Sequence, residues 1–215
     1  MNKISKFHYI TQEINGFTHA QLADFACCGG ADWVQLRVKN KSFDEWLKIA
    51  EETKLMCKKH NAKLIINDNV LIAKKIDADG VHLGKNDMKP SEARKILGKK
   101  CIIGGTANSM KDIRWLMVER VDYIGLGPFR FTNTKENLSP ILGLGGIKNS
   151  LENCKKEKIN IPIIAIGGIK KEDIETIVNT EIYGIAISSA INFSENKTVE
   201  TKMILELLER KKGQY

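Results

Sequence analysis

Lys63-Leu64-Ile65-Ile66-Asn67-Asp68-Asn69-Val70-Leu71-Ile72-Ala73-Lys74-Lys75-Ile76-Asp77-Ala78-Asp79-Gly80-Val81-His82-Leu83 holds one complete unit of this chain's architecture. Lys63 to Ile66 is a short apolar run that reads as a buried strand, and Asn67-Asp68 closes it with two polar side chains. Val70 to Ile76 follows as a short helix, and Gly80-Val81-His82-Leu83 is a second buried strand. Strands apolar on both faces belong to parallel sheets covered by helices. A strand–helix–strand unit joins two such strands.

The same unit repeats in both directions. Upstream, Phe7 to Ile10 reads as a strand, 20–28 as a helix stopped by Gly29-Gly30, and Trp33-Val34-Gln35-Leu36-Arg37 as the next strand. Ser42-Phe43-Asp44-Glu45 is a capping box, and Phe43, Trp46, Leu47, Ala50 and Cys57 share one face of the helix it opens. Downstream, Pro90 suits the first turn of a helix through Leu97. Strands follow at 101–104, 123–126, 161–166 and 184–187. The spacing predicts helices from Ser109 to about Glu119, and from about Ile147 to Glu157. Two more are expected over 170–178 and 201–211. Eight strands, each followed by a helical segment within 215 residues, predict a closed α/β fold, a (β/α)8 TIM-type barrel. No linker or composition shift divides the chain, so one domain over 1–215 is expected.

A hydrophobic content of 42% with 28% charged residues is that of an ordinary globular protein. No apolar run approaches a membrane span, and Met1-Asn2-Lys3-Ile4-Ser5 lacks a signal-peptide core, so a cytoplasmic location and no membrane partner are expected. The five cysteines form no CxxC pair and no zinc-like spacing with a histidine, and they read as buried structural thiols. The net charge of +8 is spread over most helices, which favours small phosphorylated molecules over nucleic acid.

In such a barrel the chemistry gathers at the C-terminal strand ends. Gln35, Arg37 and Lys39 alternate onto one side of their strand. Three long polar side chains aimed at a barrel interior call for an anion, and the alternative is a solvated strand edge. Asp68 and Asp87 follow neighbouring strands and together suit a Mg²⁺ ion shared with a diphosphate, although each alone could cap a helix. His82, within its strand, reads as a hydrogen-bonded core histidine ahead of a functional one. Gly167-Gly168 and Ser188-Ser189 follow the last two strands, where backbone N–H groups often bind phosphate in barrels. Gly127-Pro128-Phe129-Arg130-Phe131-Thr132-Asn133-Thr134-Lys135 opens a gap of roughly twenty residues before the next helix, a length typical of binding loops. Its hydroxyls, amide and ammonium suit anionic oxygens, and an ordinary polar loop is the alternative.

Taken in order, these motifs resemble the thiamine phosphate synthase family. The resemblance runs from Trp33-Val34-Gln35-Leu36-Arg37 through Asn67-Asp68, Asp79-Gly80-Val81-His82-Leu83-Gly84, Gly127-Pro128 and Thr132-Asn133-Thr134-Lys135. It continues through Ala165-Ile166-Gly167-Gly168-Ile169 to Ser189-Ala190-Ile191. It implies a transferase of thiamine biosynthesis that joins hydroxymethylpyrimidine diphosphate to thiazole phosphate and releases diphosphate. By position, Gln35, Arg37, Lys39 and Asn67 hold the pyrimidine diphosphate, and Asp68 and Asp87 bind Mg²⁺. Thr106 stands where the family usually has serine. The resemblance further implies that Lys135 would contact the diphosphate, so that Arg37, Lys39 and Lys135 would carry the catalytic charge. It also implies that Thr132, Asn133, Thr134, Gly168, Ser188 and Ser189 would line the thiazole phosphate site. Lys85, Arg130 and Gly145 depart from the family pattern. The alternatives are a thiazole tautomerase of the same superfamily and a non-catalytic phosphate-binding barrel; the oligomeric state is left open.

Overall fold

The computed structural model describes residues 3–131 and 140–209. Eight parallel strands close into one barrel: β1 (Phe7–Ile10), β2 (Trp33–Leu36), β3 (Lys63–Asn67), β4 (Gly80–Leu83), β5 (Ile102–Ala107), β6 (Tyr123–Leu126), β7 (Ile163–Ile166) and β8 (Gly184–Ile187). Closure is explicit, because Tyr9 of β1 pairs with Val34 of β2 on one side and with Ile187 of β8 on the other. The helices are α1 (His19–Cys28), α2 (Phe43–Lys59), α3 (Val70–Lys75), α4 (Pro90–Leu97), α5 (Met110–Val118) and α6 (Gly143–Lys156). A 3-10 turn at Lys171–Asp173 leads into α7 (Ile174–Val178), and α8 (Ser189–Asn192) and α9 (Lys197–Glu209) follow β8.

Strand alternation divides the apolar residues between two cores. Leu36, Leu64, Ile66, Leu83, Ile103 and Leu126 face outward and pack against the helices. Trp33, Ile65, Ile102, Tyr123, Ile164 and Ala186 face inward and fill the barrel. The inner packing depends on Gly104, where an added Cβ would lie 2.2 Å from the Tyr123 ring. The glycine leaves the volume that the tyrosine occupies.

The expected helix starts hold where a side chain sets them. Ser42 and Glu45 form the capping box of α2, and Ser109 Oγ accepts the Asp112 N–H to open α5. Pro90 occupies the first turn of α4. Two starts and one continuous helix differ from expectation. The α6 helix begins at Gly143, four residues before the expected Ile147, with no side-chain cap and three glycines in its first turn. Its first turn is held instead by the Gly146 N–H on Leu142 O and by packing. The α9 helix begins at Lys197 rather than Thr201, where Asn196 Oδ1 accepts the Val199 N–H. The expected helix over 170–178 is split into the 3-10 turn and α7. Among the described residues, no helix is long and apolar enough to cross a membrane.

Candidate functional site

The C-terminal strand ends place Gln35, Asn67, His82 and Thr106 in one layer above the apolar barrel interior. The first three are 3%, 5% and 3% exposed. Burial on that scale requires hydrogen-bond partners, and the layer supplies them internally. Gln35 Nε2 donates to Asn67 Oδ1 over 2.6 Å. The His82 ring bridges Tyr123 Oη and Thr106 Oγ1, each at 3.0 Å. The core role read for His82 is therefore correct, and the same ring also fixes the Thr106 hydroxyl at the mouth.

Arg37 and Lys39 lie beyond β2, both half-buried. The Arg37 N–H donates to Thr11 Oγ1 over 3.1 Å, and the Lys39 N–H donates to Glu13 Oε1 over 2.7 Å. The segment after β1 thus sets the backbone that carries the two basic side chains. Thr11 is in turn bonded to His19 Nδ1 at 2.8 Å, and burial holds His19 below the usual imidazole range against the opposing pull of Glu13. Sequence reasoning missed Thr11, Gln12 and Glu13. The signal was available, because these are the polar residues just past the first strand.

Asp68 and Asp87 close β3 and β4, which pair in register at Asn67 and His82. Neither caps a helix. Asn69 caps α3, accepting the Ile72 N–H on its side chain, and Lys89 holds the cap position of α4. Asp87 Oδ2 instead accepts the Gly84 N–H over 2.6 Å and closes the turn after β4. Asp68 is exposed, with a left-handed φ of 66°, and its N–H donates to His82 O. It lines a groove of about 300 Å³ with Trp46, Asn69, Val70, Leu71 and Met88. Two hard carboxylates from adjacent strand ends, with one oxygen of Asp87 engaged by Gly84, form a donor set that fits Mg²⁺.

Gly167 and Gly168 both adopt left-handed φ, at 97° and 68°. A Cβ on Gly167 would lie 2.8 Å from Pro128, so these glycines admit the root of the long loop after β6. Ser188 precedes α8, with its Oγ–H donated to Gln12 Oε1, and Ser189 is the first residue of that helix. Thr132, Asn133, Thr134 and Lys135 lie outside the described residues. The two flanks of that segment are nevertheless placed. Phe129 and Arg130 donate to Ile166 O and Gly167 O, while Leu142 and Gly143 donate to Pro128 O and Phe129 O. Buried Asn108 joins both flanks, its Nδ2 donating to Gly127 O at 2.9 Å and Pro140 O at 2.8 Å. Nothing in the sequence around Asn108 indicated this role.

The three departures from the family pattern sit at the rim. Lys85 pairs with Asp112 at 2.7 Å, and Arg130 pairs with Asp173 at 2.5 Å. A Cβ at Gly145 would meet nothing within 4 Å.

The family described as thiamine monophosphate synthase matches residues 7–191 of this chain. A thiamine-phosphate synthase of Flavobacterium johnsoniae is 48% identical, over 95% of this chain and 96% of its own length. One from Bacteroides fragilis is 46% identical, over 93% and 98%. The solved thiamine phosphate pyrophosphorylase of Pyrococcus furiosus superposes with a TM-score of 0.84 at 28% identity, over 95% of this chain and 96% of that one.

Proposed function

Because this chain belongs to the thiamine monophosphate synthase family, we propose that it condenses hydroxymethylpyrimidine diphosphate with thiazole phosphate at the mouth formed by β2 to β5. The observation that supports the reading is that three groups follow neighbouring strands at this mouth. The Gln35–Asn67 amide pair, the basic Arg37 and Lys39, and the carboxylates Asp68 and Asp87 all leave adjacent strand ends. A tautomerase has no diphosphate to neutralise and no use for the last two groups.

In this reading Gln35 and Asn67 take the aminopyrimidine, since the bond between them engages only one polar atom of each amide. Asp68 and Asp87 would hold Mg²⁺, which when bound supplies positive charge to the diphosphate oxygens. Arg37, Lys39 and Lys135 offset the charge that develops as the diphosphate leaves with the C–O bonding pair. The thiazole nitrogen forms the new C–N bond at the pyrimidine methylene. Its phosphate is held by Thr132, Asn133, Thr134, Gly168, Ser188 and Ser189. Thr106, oriented by His82, presents a hydroxyl to the pyrimidine or diphosphate. No protein nucleophile is required. A single domain over 1–215, a cytoplasmic location and small phosphorylated substrates accompany this reading.

The test is direct: purified protein, both substrates and Mg²⁺, with the condensed product followed by mass and diphosphate release measured in parallel. Absence of both products with authentic substrates would reject the proposal.

A further inference from the structure

At the opposite end of the barrel, the helices that lead into β2 and β3 bring together three side chains unrelated to the mouth. Asp24 and Cys28 are four residues apart on α1 and so share a face. His60 is the C-cap of α2, which packs on α1. Asp24 Oδ1 lies 2.7 Å from His60 Nε2, and Cys28 Sγ lies 4.0 Å from the same nitrogen. The three ligand atoms all fall within 4.8 Å of one another. Cys28 is exposed and Cys101 half-buried, unlike buried Cys27, Cys57 and Cys154, which corrects the expectation that all five thiols are buried.

We propose that Asp24, Cys28 and His60 form a binding site for a divalent metal of borderline softness, Zn²⁺ above all, that staples α1 to α2. Four physical arguments support it. Thiolate, imidazole and carboxylate together favour Zn²⁺ over Mg²⁺. Ordinary zinc bond lengths place tetrahedral ligand atoms about 3.4–3.6 Å apart. The sulfur–nitrogen pair at 4.0 Å need only close slightly, and the oxygen–nitrogen pair at 2.7 Å need only open, to reach that spacing. Cys28 ends α1 and His60 caps the end of α2, so the negative ends of two helix dipoles converge on the site. A carboxylate and a thiolate beside a neutral imidazole also balance the charge of the ion.

The group now facing Asp24 is Lys59, whose Nζ lies 3.2 Å from Oδ1. Its side chain is 60% exposed and leaves the carboxylate without disturbing the core. The fourth position faces solvent and takes water.

The test uses the full-length protein, stripped of metal and kept reduced. One equivalent of Co²⁺ is expected to give a thiolate-to-metal charge-transfer band, which excess Zn²⁺ displaces. Zn²⁺ should also raise the melting temperature. In C28S and H60Q the Co²⁺ band should vanish, and Zn²⁺ affinity should fall by more than about 100-fold, beyond the roughly 10–100-fold cost of losing an outer partner. C101A, altered at a half-buried thiol elsewhere, should behave as wild type. Metal-free melting of each variant reports its folding independently, and Mg²⁺-dependent turnover should be unchanged in C28S. No band in the wild type, or a band that persists in C28S, would overturn the proposal.

Discussion

Asp68 holds a left-handed backbone conformation at the end of β3, and this decides which substitution can test it. Asparagine tolerates that conformation nearly as well as aspartate, so Asp68→Asn removes a charge without adding backbone strain. Asp87→Asn likewise keeps an oxygen for the Gly84 N–H. Both variants should fold normally and require more Mg²⁺ for turnover. The double variant should lose less than the product of the single losses, because both act through one ion. A magnesium titration of all four proteins checks this, and an unchanged dependence in both single variants would end the metal assignment. At β2, Arg37→Ala should lower turnover by about 10–100-fold, the equivalent of one charged hydrogen bond of about 1.5–3 kcal/mol. Calorimetry should find thiazole phosphate binding near wild type. Lys85 has a different kind of role. Its pair with Asp112 is a surface contact worth at most about 1 kcal/mol, so Lys85→Gln should leave both melting and turnover near wild type.

The element that most needs support is the loop between β6 and α6. Its two flanks are tied to β7 and to each other by backbone hydrogen bonds, and Asn108 bonds to both. Asn108 comes from the end of β5, so an adjacent strand end ties the two flanks together. Asn108→Leu keeps comparable bulk and removes two donations to buried or half-buried carbonyls. Stability should fall by about 1–3 kcal/mol, the cost of leaving such acceptors unpaired. Since Thr132 to Lys135 lie between these flanks in the sequence, the KM for thiazole phosphate should rise while the magnesium requirement stays unchanged. Steady-state kinetics with each substrate varied in turn would show it. An equal rise for both substrates would separate Asn108 from the loop's proposed ligand.

At the scale of the whole molecule, the barrel interior makes stability depend on pH. His8 is buried against Trp33, with ring centroids 4.2 Å apart, and its Nε2–H donates to Ser5 O. Burial, with His82 adding to the effect, lowers its pKa from 6.5 to about 3. His19 shifts in the same direction, again through burial. A histidine that stays neutral when folded takes up a proton on unfolding once the pH drops below about 6.5. Acid therefore favours the unfolded chain, and the loss continues until the folded pKa of His8 near 3 is reached. The slope is on the order of 1 kcal/mol per pH unit for such a group. Chemical denaturation across this range should show stability falling before the carboxylates begin to titrate. His8→Phe keeps the stacking and loses the bond to Ser5, so it should be less stable at neutral pH yet flatter with acid. An equally steep profile would assign the acid sensitivity elsewhere.

The sequence by itself determined the alternation of eight strands and their helices, the caps at Ser42 and Ser109, and the polar strand ends at Gln35, Asn67, Asp68 and Asp87. All of these depend on spacing within one element, where periodicity shows directly which side chains share a face. The tertiary structure alone decided which strand ends meet and what they bond to. Gln35 finds Asn67 only when β2 lies beside β3, and Asn108 reaches Pro140 only once the barrel has carried β5 beside β6. The glycine-rich start of α6 shows no signal of its own, because packing and the Leu142 carbonyl hold what propensity disfavours. Cys28 and His60 are 32 residues apart, a separation that suggests no shared site until α1 and α2 bring their last turns together.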